Sequence, residues 1–136
     1  MRFYAVIDTN VLVSSFLVDN SNPKKILDAV HSGTIVPLVN NEILREYEEV
    51  LSRDKFTFKK ELIEKQLKFF REYGLFLDRT KTEEEFIDSE DVVFYEITLS
   101  GRLKFDAYLV TGNIKHFPKK TFVVTPKEML DIINSN

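Results

Sequence analysis

The strongest constraint in this chain is an alternation of two periodicities. Short apolar, β-prone runs are separated by longer segments whose apolar residues recur at helical spacing. Residues 3–7, 34–39, 75–77, 107–111 and 122–124 read as strands. Between them, helices are expected over 11–18, from Pro23 to Gly33, over 59–72, over 89–100 and over 126–133. A further helix carries Ile43, Leu44, Tyr47, Val50 and Leu51 on one face, with Asn40 or Asn41 as its cap. Gly33, Gly74 and Gly101 are read as helix stops, and residues 80–86 as a polar loop. Short apolar strands joined by helices imply a parallel sheet covered on both faces. We find no repeat, linker or low-complexity stretch, so residues 1–136 are expected to form a single domain.

Composition narrows the chemistry. There is no cysteine, which excludes disulfides, zinc–thiolate sites and thiol nucleophiles. A metal site here must use Asp, Glu, Asn, His or backbone oxygen, a set that favours Mg²⁺ or Mn²⁺. The N-terminal apolar run ends at Ile7, too short for a signal peptide's apolar region, and no run approaches a membrane span. A cytoplasmic location is therefore expected.

The net charge of −3 is a weak argument against a nucleic-acid partner, but its distribution matters more. Residues 53–71 carry Arg53, Lys55, Lys59, Lys60, Lys65, Lys68 and Arg71 against three acids. Residues 83–91 carry six acids and no base. A basic face that holds phosphate and an acidic pocket that holds metal can coexist in a nuclease; a merely solvated helix face is the plainer account of the basic stretch.

In open parallel sheets the working site lies beyond the carboxyl ends of the strands. Asp8 follows the first strand and Thr111-Gly112-Asn113 follows the fourth. The 40–46 segment opens the helix after the second strand, and Asp88 to Asp91 open the helix leading into the fourth. Carboxylates and amides thus converge on one sheet edge. Clustered carboxylates repel unless a cation compensates, and a divalent ion is also suited to phosphodiester hydrolysis. Plainer roles exist for each residue. Asp8 could cap the next helix, Glu46 competes with Glu42 on the same face, Asp88 and Asp91 suit a helix start, and Asn113 suits a turn. His31 and His116 read as structural or surface residues, His116 being nearer the proposed site.

The motifs resemble those of the PIN-domain family. Residues 6–14, Val-Ile-Asp-Thr-Asn-Val-Leu-Val-Ser, look like its opening motif, and residues 40–51 like its second acidic motif. Asp88-Ser89-Glu90-Asp91 resembles the third motif, Tyr108 to Asn113 the fourth, and Val123 to Leu130 the usual ending. The similarity runs through essentially the whole chain. It is nearest to the group described as toxin components of toxin–antitoxin modules. The resemblance implies a three-layer α/β/α fold with a central five-stranded parallel sheet, Mg²⁺ or Mn²⁺ dependence and cleavage of single-stranded RNA. It also implies homodimerisation and inhibition by a cognate antitoxin protein. It selects Glu46 over Glu42 and Asp91 within the third motif, so that Asp8, Glu46 and Asp91 hold metal, with Asn113 as a fourth catalytic position. Thr9, Asn10, Ser14, Asp88 and Thr111 would orient carboxylates or water, and Lys55, Lys59 and Lys60 would contact RNA. Many PIN proteins have aspartate where this chain has Asn113, which weakens the case for a second metal.

Two other readings compete. Aspartyl-phosphate phosphatases also place an Asp after the first strand, but they need a second Asp two residues on, where this chain has Asn10; a phospho-accepting receiver lacks its lysine here. A non-catalytic PIN-like module that binds RNA or protein is the alternative from a different class, favoured by Asn113 and the negative net charge.

Overall fold

The computed structural model describes residues 1–136. Five strands form one all-parallel sheet: β1 (Phe3–Ile7), β2 (Ile35–Val39), β3 (Leu75–Phe76), β4 (Tyr108–Val110) and β5 (Val123–Val124). Six α-helices cover it: α1 (Thr9–Leu17), α2 (Asn22–His31), α3 (Asn41–Leu51), α4 (Lys60–Tyr73), α5 (Val92–Arg102) and α6 (Pro126–Asn134). The architecture is the three-layer α/β/α sandwich expected. Consecutive residues are buried in β1 (Ala5, Val6, Ile7), at the end of β2 (Leu38, Val39) and in β4 (Leu109, Val110). Burial of neighbours that point to opposite faces requires cover on both sides of the sheet.

The strand order is β3-β2-β1-β4-β5. The chain builds outward from β1 to β3, then crosses back to lay β4 on the other side of β1. This reversal puts a topological switch point between β1 and β4, where a crevice opens beyond the strand ends. Ile7 pairs in register with Val110, so the residues that follow each strand meet there.

Local chemistry explains most element boundaries. Ser21 caps α2 by accepting from Lys24 N, with Pro23 in the first turn. Asn40, rather than Asn41, caps α3 by accepting from Ile43 N at 2.8 Å. Thr125 and Glu128 form a reciprocal capping box at α6, where Pro126 is the first helical residue. Gly33 turns the chain after α2 at φ +84°, a conformation costly for residues with a Cβ.

Three expectations shift. Helix α1 starts at Thr9 because Asp8 itself serves as the cap. Ser89–Asp91 forms a single 3₁₀ turn before α5. Gly101 does not stop α5 but lies within its last turn. A Cβ there would sit 2.5 Å from Leu38 Cδ1 and 3.0 Å from Ala107 Cβ. Glycine is thus present because α5 packs closely on the sheet. No helix is long and apolar enough to cross a membrane.

Candidate metal centre

Asp8 sits at the switch point and is only 6% exposed. Its backbone N–H donates to Val110 O at 2.9 Å, extending the β1–β4 ladder past the strand end. Its side chain meets three donors. Oδ1 accepts from the Thr9 N–H at 2.8 Å; Oδ2 accepts from Thr111 Oγ1 at 2.7 Å and from Asn10 Nδ2 at 3.2 Å. The plain capping role and the site role therefore belong to one residue. Thr111, fully buried at the end of β4, in turn accepts from the Asn113 N–H at 2.9 Å. Asn10 Oδ1 accepts from the Gly112 N–H at 3.1 Å. These bonds stitch the β1–α1 turn to the β4 end and fix the carboxylate's orientation.

Glu46 arrives on α3. The neighbouring Tyr47 is fully buried and donates its hydroxyl to Ile7 O at 2.5 Å, pinning α3 to the end of β1. Thr9 Oγ1 then donates to Glu46 Oε2. Thr9 thus touches both acids, one through its backbone and one through its hydroxyl. Glu42, one turn earlier, lines the same cleft but pairs with Arg79 Nη1 at 2.9 Å. Of the two, only Glu46 is bonded to the Asp8–Thr9 turn.

Asp91 comes from the 3₁₀ turn before α5. Its Oδ2 is buried and makes no hydrogen bond, although His116 Nδ1 lies 3.4 Å away. A buried carboxylate oxygen without a hydrogen bond is costly unless a cation approaches it.

The electrostatics agree. Burial raises Asp8 above the usual carboxylate range, against the opposing bonds from Thr111, Thr9 and Asn10 and the nearby His116. Burial also raises Glu46, with Asp8, Glu90 and Asp91 adding repulsion against the Thr9 bond. Asp91 is pushed up to about 6 by burial first, then by the charges of Asp8 and Asp88. Each acid in the cluster is therefore held where its charge is unfavourable, and a cation relieves that cost. The donors are all oxygens, which fits a hard divalent ion. No set of three carboxylate or histidine side chains is arranged to hold an ion directly. Mg²⁺ usually takes one or two protein carboxylates and retains waters, so two direct ligands suffice.

A pH consequence follows. The folded-state values of all three acids are raised, so the ion-free fold binds protons that the unfolded chain releases. Their contribution to stability is fully present below the ordinary carboxylate range and is lost as pH rises through the folded values, about 6 for Asp91. The melting temperature of protein stripped of divalent ions should fall between about pH 5 and about pH 7. A flat or rising profile over that window would rule out the raised values.

Other expected residues land differently. Asn113 is exposed, and its side chain makes no hydrogen bond to any of the three acids; only its backbone joins the network, through Thr111. Ser14 likewise gives no hydroxyl bond to a carboxylate, and both residues instead line a small cleft beside Asn10. Asp88 is exposed; its carboxylate accepts from the Glu90 N–H at 2.9 Å and its carbonyl from the Asp91 N–H at 3.1 Å, so its side chain reaches the Asp91 carboxylate only through charge. Lys55, Lys59 and Lys60 are exposed and line neither cleft at the acids. The bases beside Glu46 are Arg45, Arg53 and Arg79, in a cleft of about 410 Å³. Arg53 belongs to the basic stretch seen in the sequence, whereas Arg45 and Arg79 stand alone and give no charge pattern to read. Tyr47 and His116 also gain roles that sequence leaves open. For Tyr47 a signal exists, since a tyrosine in an otherwise apolar stripe must find a partner for its hydroxyl.

A parallel α/β domain that gathers acids at its switch point offers oxygen donors of the type that suits a hard divalent cation. The family profile for the PIN domain matches residues 4–115, and the chain belongs to that family. The match takes in Asp8, Glu46 and Asp91; β5 and α6 lie beyond it. PIN domains are generally metal-dependent nucleases, commonly with Mg²⁺, and often occur in toxin–antitoxin systems. No curated protein matches the chain.

Proposed function

We propose that this protein is a metal-dependent endoribonuclease that hydrolyses single-stranded RNA, with Asp8, Glu46 and Asp91 holding Mg²⁺ or Mn²⁺, directly or through ion-bound water. The observation that carries this reading is the cluster of three acids with raised proton affinities, one of them with a buried oxygen that lacks a hydrogen bond. When bound, such an ion neutralises the acids and polarises the phosphodiester toward attack. The chain's own residues do the positioning. Thr111 and Asn10 hold Asp8 Oδ2, Thr9 holds Asp8 and Glu46 together, and Tyr47 keeps α3 against β1. Partners of this kind that orient acidic ligands commonly matter about ten- to a hundredfold in metal affinity or activity. As a toxin, the protein would form a homodimer and be silenced by a cognate antitoxin protein; family membership is the support for this part.

A second reading is a PIN-like module that binds RNA without cutting it. It is favoured by the lack of three side chains arranged around one ion and by the outward position of Asn113. Incubation with a broad panel of single-stranded RNAs and Mn²⁺ or Mg²⁺ separates the two. We expect fragments that disappear when EDTA removes the ion. RNA retained in a binding assay without metal-dependent fragments on any substrate would replace the nuclease reading with the second one.

A further inference from the structure

We infer that a small cleft next to Asp8 is a nucleobase pocket in which the Asn113 amide reads the base. The inference rests on the RNA reading above and deepens it. The cleft has a volume of about 240 Å³ and is lined by Asn10, Ser14, Pro23, Gly112, Asn113 and Pro126, with Val11. It adjoins the acids, because Asn10 spans from Asp8 Oδ2 to the Gly112 N–H. Both ends of the Asn10 amide are thereby used.

The side chains of Asn113 and Ser14 have no hydrogen-bond partner in the fold, and no charged side chain lines the cleft. A neutral amide offers one donor beside one acceptor, the pattern that matches a base edge with two hydrogen bonds. The Ser14 hydroxyl, able to donate or accept, supplies another contact. Pro23 and Pro126 provide apolar surface, as expected where a splayed base packs between side chains. Both prolines stand in the first turns of helices, α2 and α6, so two helix N-termini flank the cleft, where a nucleotide's phosphate is favoured. An aspartate at position 113 would add a further negative charge beside the three acids and remove the donor. The asparagine therefore suits recognition of a base better than ligation of an ion.

The test uses binding rather than cleavage. Full-length ¹⁵N-labelled protein in EDTA is titrated with AMP, CMP, GMP and UMP while amide shifts are followed. We expect saturable shifts at Gly112 and Asn113, with one nucleotide preferred over the weakest by about tenfold, the scale of a good bidentate amide–base pair. Asn113→Ala should erase that preference while the remaining spectrum stays native. Asp8→Asn should keep it. Equal binding of all four nucleotides, the absence of shifts at these amides, or an unchanged preference in Asn113→Ala would each overturn the pocket. Selective binding by a protein that cleaves no RNA would sink the nuclease reading and leave the pocket standing.

Discussion

Asp8→Asn should lower metal-dependent RNA cleavage by at least about a hundredfold without unfolding the protein. The hundredfold floor follows because changes in groups that merely orient a ligand already reach that size, and Asp8 is the most enclosed of the three acids. Asparagine has nearly the same volume and can still accept from the Thr9 N–H, so the α1 cap survives. The new NH₂ group faces Thr111 Oγ1 and Asn10 Nδ2, where a carboxylate oxygen was accepting, so part of that network is lost. Removal of a buried charge works in the opposite direction. The melting temperature in metal-free buffer at neutral pH should consequently change little. The clearer stability readout is the response to ions. At a hundredfold excess over Kd, binding adds about 2.7 kcal/mol to the stability of the wild type. That increment should be absent in Asp8→Asn. Initial rates on the best RNA substrate, together with melting curves with and without Mn²⁺, measure both effects. Retention of wild-type cleavage by a folded Asp8→Asn protein would remove Asp8 from the mechanism.

Arg79→Met should destabilise the fold by about 2–3 kcal/mol, a large effect for one solvent-facing residue. Arg79 Nε lies 2.7 Å from Glu96 Oε1, and the Glu96 side chain is only 8% exposed. The other Glu96 oxygen accepts from the Thr82 N–H at 2.8 Å. Loss of the guanidinium would strand a buried carboxylate, for which the usual cost is about 3–5 kcal/mol; the partial exposure of Arg79 reduces the expectation. The second pair that Arg79 makes, with Glu42, is exposed on both sides and should contribute little. If the stranded charge is the cause, Glu96→Gln in the Arg79→Met background should recover stability by about 1 kcal/mol or more, measured by urea unfolding as a double-mutant cycle. Additive effects would assign the loss to packing instead. The pair also has a positional role. It fastens the segment between β3 and the Asp91 turn onto α5, with Arg79 reaching to α3 as well. A loosened segment should displace Asp91 and lower cleavage beyond what stability alone predicts.

Much of the candidate site is local information. Asp8 directly follows a run of buried β residues, and its own backbone and side chain cap α1. Thr9 and Asn10, its immediate neighbours, are two of the groups that bond it. Such contacts depend on a few residues of chain and are readable from the motif. Asn113 is the instructive contrast. Its type and place in the motif point to the acids, yet the turn after β4 sends its side chain outward and leaves only the backbone N–H in the network.

By itself the sequence determined the alternation of strand and helix, the burial of both sheet faces and the acid after the first strand. The physical reason is that periodicity and capping act within a few residues. Tertiary structure alone decided that β4 lies beside β1. That pairing brings Thr111 to Asp8 across 103 residues of chain. Packing of the other segments sets His116 near Asp91 and Arg79 against Glu96. It also decided that Gly101 serves close packing of α5 rather than ending it. Periodicity marks which face of an element is buried, but not which element covers it. The polar partners that a buried charge finds far along the chain are therefore known only once the strands have taken their order.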